Sequence, residues 1–466
     1  MSSDNETEQL LVGIFPEAGV YAVGGSVRDG VLADLGRPQA HQPDHDYLVT
    51  GLPMQTILER LGAAGHVEVV GASFGVIKFT RHDRTVDIAL PRRERSTGPH
   101  HRDFEIESGP DIPLDEDLAR RDFRINMMAR DLRSGGVLDP YGGRADLEQS
   151  RLDTLRPEAF EEDPLRILRG AQFAARFELT PTGAALATMR AAAEGVATVA
   201  PERIADELNK LLTLASRPSR GVEILRETGA LAYVMPELLE GWEVEQNQFH
   251  AYTVYYHSLH TVDAAPPDLV IRLAALLHDV GKPRTKEGPH FYGHQQVGET
   301  MAREMLTRLR FAGEVIDRVC LLIRNHMYST ADVISDAGIR RFIKRVRPSN
   351  LGALFTLRRA DIVASGLPRH DRGENERFEE RVDTMLRDHP AFDISHLAIG
   401  GADVIAVMIE LGMAAPGFKG DERVGAALRS CLEEVLDDPA RNERDSLLRH
   451  ARRYLGTVGP HDGTNG

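Results

Sequence analysis

Cysteine is almost missing from this chain. Only Cys320 and Cys431 occur among 466 residues, without paired spacing, so neither a disulfide framework nor a cysteine zinc site is expected. That scarcity fits a reducing cytoplasm. Long apolar runs are missing as well: no stretch approaches the roughly 20 residues of a membrane-spanning helix. The start, Met1–Gln9, is polar and acidic and lacks the basic and apolar segments of a secretory signal. A cytoplasmic location is therefore expected. Positive charge is short too. Asp and Glu number 71 against 56 Lys and Arg, a net charge of -15. Whole-chain charge does not mark a nucleic-acid binder, and any RNA contact must use a local basic surface.

What is present is an ordinary globular composition, 42% hydrophobic and 27% charged. At roughly 150 residues per domain, the length suggests about three structural units. The first third alternates short apolar runs with turns. Tyr21–Val23, Tyr47–Val49, Val67–Val70, Val76–Phe79 and Thr85–Leu90 read as strands, and Met54–Ala64 has helical spacing. After Asp139-Pro140-Tyr141-Gly142-Gly143 the pattern turns helical and stays so to about Arg453. Pro164 suits a first helical turn, and Leu165, Leu168, Ala171, Ala175 and Phe177 can share one apolar side. Pro266-Pro267, Gly281–Gly288 and Arg369–Glu376 read as loops, and the Gly-rich end Gly456–Gly466 as disordered.

Three acidic positions carry chemistry. Gly24-Gly25-Ser26-Val27-Arg28-Asp29 lies between a strand and an apolar helix, and is either a tight turn or a phosphate-approaching loop. Asp44-His45-Asp46 precedes the run Tyr47-Leu48-Val49. In extended chain Asp44 and Asp46 share a face, and paired carboxylates suit Mg²⁺ beside substrate phosphates. Asp87 stands between apolar neighbours in Thr85–Ala89, where an acid is out of place unless used. Three such carboxylates on adjacent strands could hold two metal ions for in-line phosphoryl displacement, one activating a 3′-hydroxyl and one stabilising leaving pyrophosphate.

From Gly24 through the Asp44-His45-Asp46 triplet the chain resembles the first motif of class II tRNA nucleotidyltransferases and bacterial poly(A) polymerases. The likeness continues in order through Asp117–Asn126, Asp139–Gly143, the neck motif Glu162–Arg169 and Pro201-Glu202-Arg203-Ile204. The resemblance implies a polymerase-β-like α/β head followed by a mostly α-helical neck, body and HD domain. It implies metal-binding Asp44 and Asp46, and with Asp87 from the reading above these are the expected catalytic carboxylates, with Mg²⁺ in the head. It places Gly24, Gly25 and Arg28 at the triphosphate, and Arg121, Asp122 and Asn126 near triphosphate and ribose, with Arg169 also in the nucleotide-binding set. It makes Asp163 and Arg166 a base-reading pair. At i, i+3 on a helix they would lie side by side, one accepting and one donating, as a Watson–Crick edge does. The implied reaction is addition of C, C and A from CTP and ATP to the 3′ end of tRNA. The runners-up are an A-adding enzyme, a poly(A) polymerase, or a phosphohydrolase whose head only binds RNA. Two departures stand out, Arg124 and Met127, where the family usually carries Thr and Ala. Arg92–Glu107 follows the family's mobile loop loosely. Its preserved length argues against a CC-only enzyme and leaves an A-only one open.

A second constellation lies downstream. His278-Asp279 after the apolar run Leu273–Leu277 resembles an HD phosphohydrolase domain, with His257, His278, Asp279 and Asp361 in its ligand pattern and His294 and His326 available for a second ion. Mixed His and carboxylate donors suit Mn²⁺, Ni²⁺, Zn²⁺ or Fe better than Mg²⁺. His260 and His290 read as ordinary packed or surface histidines. Such a module could hydrolyse a 2′,3′-cyclic phosphate, a 2′-nucleotide or another phosphoester, or hold a structural metal. The expected divisions are a head at 1–145, a neck at 146–245, an HD domain at 246–370 and a helical tail at 371–466.

Overall fold

The computed structural model describes residues 3–39, 45–70, 76–96, 104–248, 250–331, 333–368, 373–388 and 391–458. By its internal contacts the chain divides into two units. One comprises Met1–Glu243 with Pro266–Leu273 and Glu304–Gly313. The other comprises Val244–Ala265, Ala274–Arg303 and Glu314–Gly466.

The first unit opens with the expected α/β head. Its strands are β1 (Gly19–Val23), β2 (Asp46–Thr50), β3 (His66–Val70), β4 (Val76–Arg81) and β5 (Arg84–Ala89), each a residue or two from its sequence reading. A separate hairpin pairs β6 (Arg92–Ser96) with β7 (Phe104–Ser108), and β8 (Ala129–Asp131) and β9 (Val137–Leu138) complete the main sheet. The sheet order is β3-β4-β5-β2-β1-β8-β9. Every neighbouring pair is antiparallel except β2 with β5. That parallel pairing is achieved because the helix Met54–Gly62 and the β3–β4 pair lie between them in the chain. Val23, Leu48, Leu118, Met127 and Ala129 pack into one cluster. Met127, a departure from the family pattern, is thus a core residue. Arg124, the other departure, ion-pairs with Asp153 at 3.3 Å.

Asp139–Gly143 is a structural turn. Asp139 accepts from the Gly143 and Arg144 backbone N–H groups at 2.7 and 2.9 Å, capping the helix Gly143–Glu148. A Cβ on Gly143 would meet the Arg124 carbonyl oxygen at 2.3 Å, so the backbone passes there only as glycine.

The neck follows in the same unit. Pro164 caps the helix Leu165–Arg176, whose Leu165, Ile167, Leu168, Ala171, Ala174 and Ala175 are buried. The helix Pro201–Leu214 packs along it, opened by Pro201 at its first position.

The second unit is helical. Its last three helices, Gly401–Glu410, Glu422–Asp437 and Arg444–Val458, enclose a core containing Val404, Met408, Cys431, Val435 and Leu447. Cys320 and Cys431 are buried free thiols. Two sequence readings shift. The stretch 369–376 is not all loop, because a helix begins at Glu374, with Glu374 and Glu376 in a first turn that favours acids. Residues 369–372 lie outside the described residues. The Gly-rich end starts as helix, which continues through Gly456 to Val458, and 459–466 lie outside the described residues. Among the described residues no helix is long and apolar enough to cross a membrane.

Candidate functional site

Every described residue expected to hold metal or nucleotide in the head and neck lines a single cavity of about 640 Å³. Its wall carries nine cationic side chains against five carboxylates. This strongly acidic protein therefore concentrates positive charge in one place, as an anionic ligand requires. Asp44 lies outside the described residues.

The carboxylates are placed by sheet register. Asp46 opens β2 and Asp87 sits in β5, and the two are direct partners in the parallel pair. Neighbouring strands lie about 4.8 Å apart, so both side chains enter the cavity side by side. β1 ends one residue before Gly24, which has φ +73° and caps the helix Gly25–Asp34. A Cβ there would lie 3.0 Å from Arg121 Nη1 and 3.6 Å from Asp46 Oδ2. Backbone, guanidinium and carboxylate thus close on a point that only glycine leaves open.

Behind this edge runs a buried polar chain. Arg28 donates from Nε to Asp29 at 2.7 Å and from Nη1 to Asn126 at 2.8 Å, and lies over the Phe177 ring at 4.2 Å. Its donors are largely engaged within the protein, so it holds the wall together. Asn126 donates to Asp122 Oδ1 at 2.9 Å, and Asp122 Oδ2 takes Arg169 Nε at 2.8 Å and Nη2 at 2.7 Å. Burial alone would raise the Asp122 pKa, but Arg169 and the Asn126 amide outweigh it and hold it at about 2. Arg169 Nη1 is in turn 3.7 Å from Glu207. Sequence reasoning passed over Asp117 as a role-bearing residue. It is fully buried and accepts from the Arg92 backbone N–H and Arg120 Nε at 3.0 Å and Arg121 Nη2 at 3.2 Å, fixing three residues of the wall.

Asp163 and Arg166 both line the cavity, but not as turn-neighbours on one helix. Pro164 disfavours helical backbone in the residue before it, and Asp163 is extended, φ -140° and ψ 92°, between the helices Ala159–Glu162 and Leu165–Arg176. Its carboxylate accepts from the Leu165 N–H at 3.3 Å and from Arg203 Nη2 at 2.9 Å. Arg166 donates to the Arg120 carbonyl at 3.2 Å. The two side chains are therefore held separately.

The second unit gathers the other constellation. His257, His278 and Asp361 form one group of buried donors, and Asp279, His294 and His326 another, each with ligand atoms within 4.8 Å of one another. Asp279 touches both. Its Oδ2 is 3.1 Å from His278 Nε2 and 3.6 Å from His257 Nε2, and its Oδ1 is 3.5 Å from His294 Nε2 and 3.7 Å from His326 Nε2. Each histidine turns Nδ1 to a backbone carbonyl: His257 to Ala364 at 3.2 Å, His278 to Ala275 at 2.8 Å, His294 to Phe291 and His326 to Ile323 at 2.7 Å. A carbonyl only accepts, so Nδ1 carries the proton and Nε2 points inward bare. The Nε2 atoms of His257 and His278 are 3.2 Å apart, and those of His294 and His326 3.3 Å. Bare nitrogens at that range repel unless a cation joins them. Four imidazoles with oriented Nδ1–H groups plus two carboxylates fit divalent transition metals. Burial pushes His294 down to about 4.

A cavity of about 570 Å³ opens on this cluster. His250, Lys282 and Arg358 also line it. Only Lys282 carried a sequence signal, as the end of the His-Asp motif. His250 stacks edge-on to His257 at 4.5 Å, and burial, aided by Lys282, drops its pKa to about 3. His260 and His290 pack against Tyr252 and Tyr292 at 4.3 and 5.1 Å, outside both donor groups.

The sequence model of the poly A polymerase head domain matches residues 20–153, that of the probable RNA and SrmB-binding site of polymerase A residues 178–241, and that of the HD domain residues 250–356. The multifunctional CCA protein of Aromatoleum aromaticum is 39% identical over 352 residues, 72% of this chain and 82% of that relative. The one of Nitrosococcus oceani is 40% identical over 300 residues, 62% of this chain and 70% of its own length. Among solved structures, the Bacillus stearothermophilus CCA-adding enzyme in complex with CTP aligns with a TM-score of 0.71 at 20% identity, covering 98% of this chain and 99% of that one. The Thermotoga maritima CCA-adding enzyme complexed with tRNA aligns with a TM-score of 0.57 at 19% identity, covering 97% and 95%. At these identities the structural likeness shows the fold.

Proposed function

The chain belongs to the family of multifunctional CCA proteins, and we propose from that premise how its head cavity adds C, C and A to the 3′ end of tRNA from CTP and ATP without a nucleic-acid template. The observation that carries the reading is the in-register pair Asp46–Asp87 opening into the same cavity as Asp163 and Arg166. In the reaction the terminal 3′ oxygen attacks the α-phosphorus, its proton leaves, and the bond to pyrophosphate breaks. Asp46 and Asp87, with Asp44 before them, would hold the divalent cations such heads use, Mg²⁺ by oxygen preference. Those cations supply charge neutralisation at attacking and leaving oxygens.

The remaining work belongs to the chain itself. The N–H groups at the start of the helix Gly25–Asp34 and the Arg121 guanidinium present donors to the triphosphate. Asn126 and Asp122, fixed by Arg28 and Arg169, hold the wall where the ribose would rest. Asp163 accepts from the exocyclic amino group of cytosine or adenine, and Arg166 donates to a ring nitrogen. Uracil and guanine bring a carbonyl to an acceptor-only carboxylate, and that mismatch leaves groups unpaired. The test is direct: incubate the protein with tRNA ending at the discriminator base, at C or at CC, with labelled CTP or ATP, and sequence the products. Ordered C, C, A addition is expected. A alone, or A tails on unrelated RNA, would transfer the reading to an A-adding or poly(A)-forming enzyme.

The two donor groups around Asp279 favour a second activity, metal-dependent phosphoester hydrolysis by the HD domain. Lys282 and Arg358 line the same cavity and offer positive charge to a phosphate. A transition-metal ion such as Mn²⁺, Ni²⁺, Zn²⁺ or Fe would polarise the ester there. Release of phosphate from 2′-nucleotides, or opening of 2′,3′-cyclic phosphates, is the assay.

A further inference from the structure

The neck helix Leu165–Arg176 does not hold its cavity-facing groups alone. The adjacent helix Pro201–Leu214 presents Arg203 and Glu207, four residues apart and therefore on one face. They carry opposite charge and meet opposite partners. Arg203 Nη2 is 2.9 Å from Asp163 Oδ2, and Glu207 Oε1 is 3.7 Å from Arg169 Nη1 and 2.8 Å from Lys210. The two contacts fall on either side of Arg166 in the sequence, and Glu207 is buried whereas Arg203 is half exposed. The Glu207 contact fixes the register of the two helices, so Arg203 arrives at the same place in every molecule.

Asp163 needs that arrival. It stands in extended backbone before Pro164, outside either helix, and its terminal torsion is soft and two-fold. One oxygen is tied to the Leu165 N–H at 3.3 Å. Among the described residues the other is tied across to Arg203. We propose that Arg203 is a positioning residue for nucleotide choice: it sets the plane of the Asp163 carboxylate, and through it which base edges that carboxylate accepts. Arg203 need not touch the nucleotide. The inference rests on the reading that Asp163 faces the base, and the experiment separates the two.

The measurement is kcat/KM for CTP, ATP, UTP and GTP on tRNA lacking its end, for wild type, Asp163→Ala, Arg203→Ala, Arg203→Lys and the Asp163→Ala/Arg203→Ala double variant, with melting temperatures alongside. Arg203→Ala should narrow the preference for CTP and ATP over UTP and GTP by up to about fivefold, the worth of one half-exposed ion pair. Arg203→Lys, which keeps the charge without the planar fork, should recover part of it. In the double variant the Arg203 change should add nothing to Asp163→Ala, because its only route to the base has gone. If Asp163→Ala narrows the preference while Arg203→Ala lowers all four nucleotides equally or leaves the ratios at wild-type values, Arg203 is structural and the proposal falls with the base-reading role intact. If Asp163→Ala itself keeps the wild-type ratios, both fall. Additive effects in the double variant would also overturn it.

Discussion

Asp122→Asn tests the buried chain behind the head cavity. The side chain is 6% exposed and binds Arg169 through two hydrogen bonds, Asn126 through one and its neighbour's N–H through another. Its pKa falls from 3.8 to about 2. At about 1.4 kcal/mol per unit, ionised Asp122 contributes about 2 kcal/mol to folding at neutral pH. The folded pKa is the lower one, so this stability is fully present above the unfolded pKa and disappears as pH falls through the folded pKa. About half remains at pH 3, and little at pH 2. Asparagine removes the charge and leaves Arg169 with Glu207 alone, so the variant should lose roughly 2–4 kcal/mol at pH 7. Trp242, the only tryptophan of the chain, lies in the same unit with Arg226 over its ring at 3.9 Å. Its fluorescence reports urea unfolding of that unit. The gap between wild type and variant should be constant from pH 7 to 5 and shrink by pH 3. A gap that is absent at pH 7, or that stays constant down to pH 3, would refute the linkage argument.

Three further outcomes are expected. Asp46→Ala and Asp87→Ala should each lower nucleotide addition by at least about a hundredfold with unchanged far-ultraviolet circular dichroism, and near-normal rates in both would remove the metal role from this pair. Gly24→Ala should cost about 1 kcal/mol or more, because a Cβ is strained at φ +73°. It should also raise KM for CTP, because that Cβ crowds Arg121, and an unchanged KM would show that nothing binds against Gly24. The purified protein should hold two divalent ions in the HD domain. His326→Ala should lose one and Asp279→Ala both by elemental analysis, while tRNA extension persists, and identical metal content in all three proteins would dismiss the cluster.

The head strands were readable because their apolar runs alternate and end at glycine turns. The carboxylates were readable as a set but not as a geometry. Nothing local in Asp46 or Asp87 says that their strands pair in parallel, a relation fixed by the intervening β3 and β4. The spacing of Asp163 and Arg166 suggested one helical face because spacing ignores the proline between them. Arg28 carries a phosphate-binding residue type in a glycine-rich motif, yet its position behind the first helical turn directs it to Asp29, Asn126 and the Phe177 ring. The HD ligands were legible by residue type, whereas the division into two groups about Asp279 depends on which carbonyl each Nδ1 finds. Glu207 drew no attention, and Asp117 was given no role within its motif, because a single acid on a helix has no signature until its partners arrive from elsewhere.

Parallel contact between β2 and β5 also orders events in time. A hairpin such as β4–β5 closes over a few residues and can form early. Asp46 meets Asp87 only after a crossover has closed, which is slower. Synthesis runs from the amino end, so a ribosome that has just released the acidic motifs has produced carboxylates without the neck that faces the same cavity. Asp163, Arg166 and Arg203 all come more than a hundred residues after β2. A half-made chain therefore carries the paired acids of the head before the neck residues that complete the wall of their cavity exist.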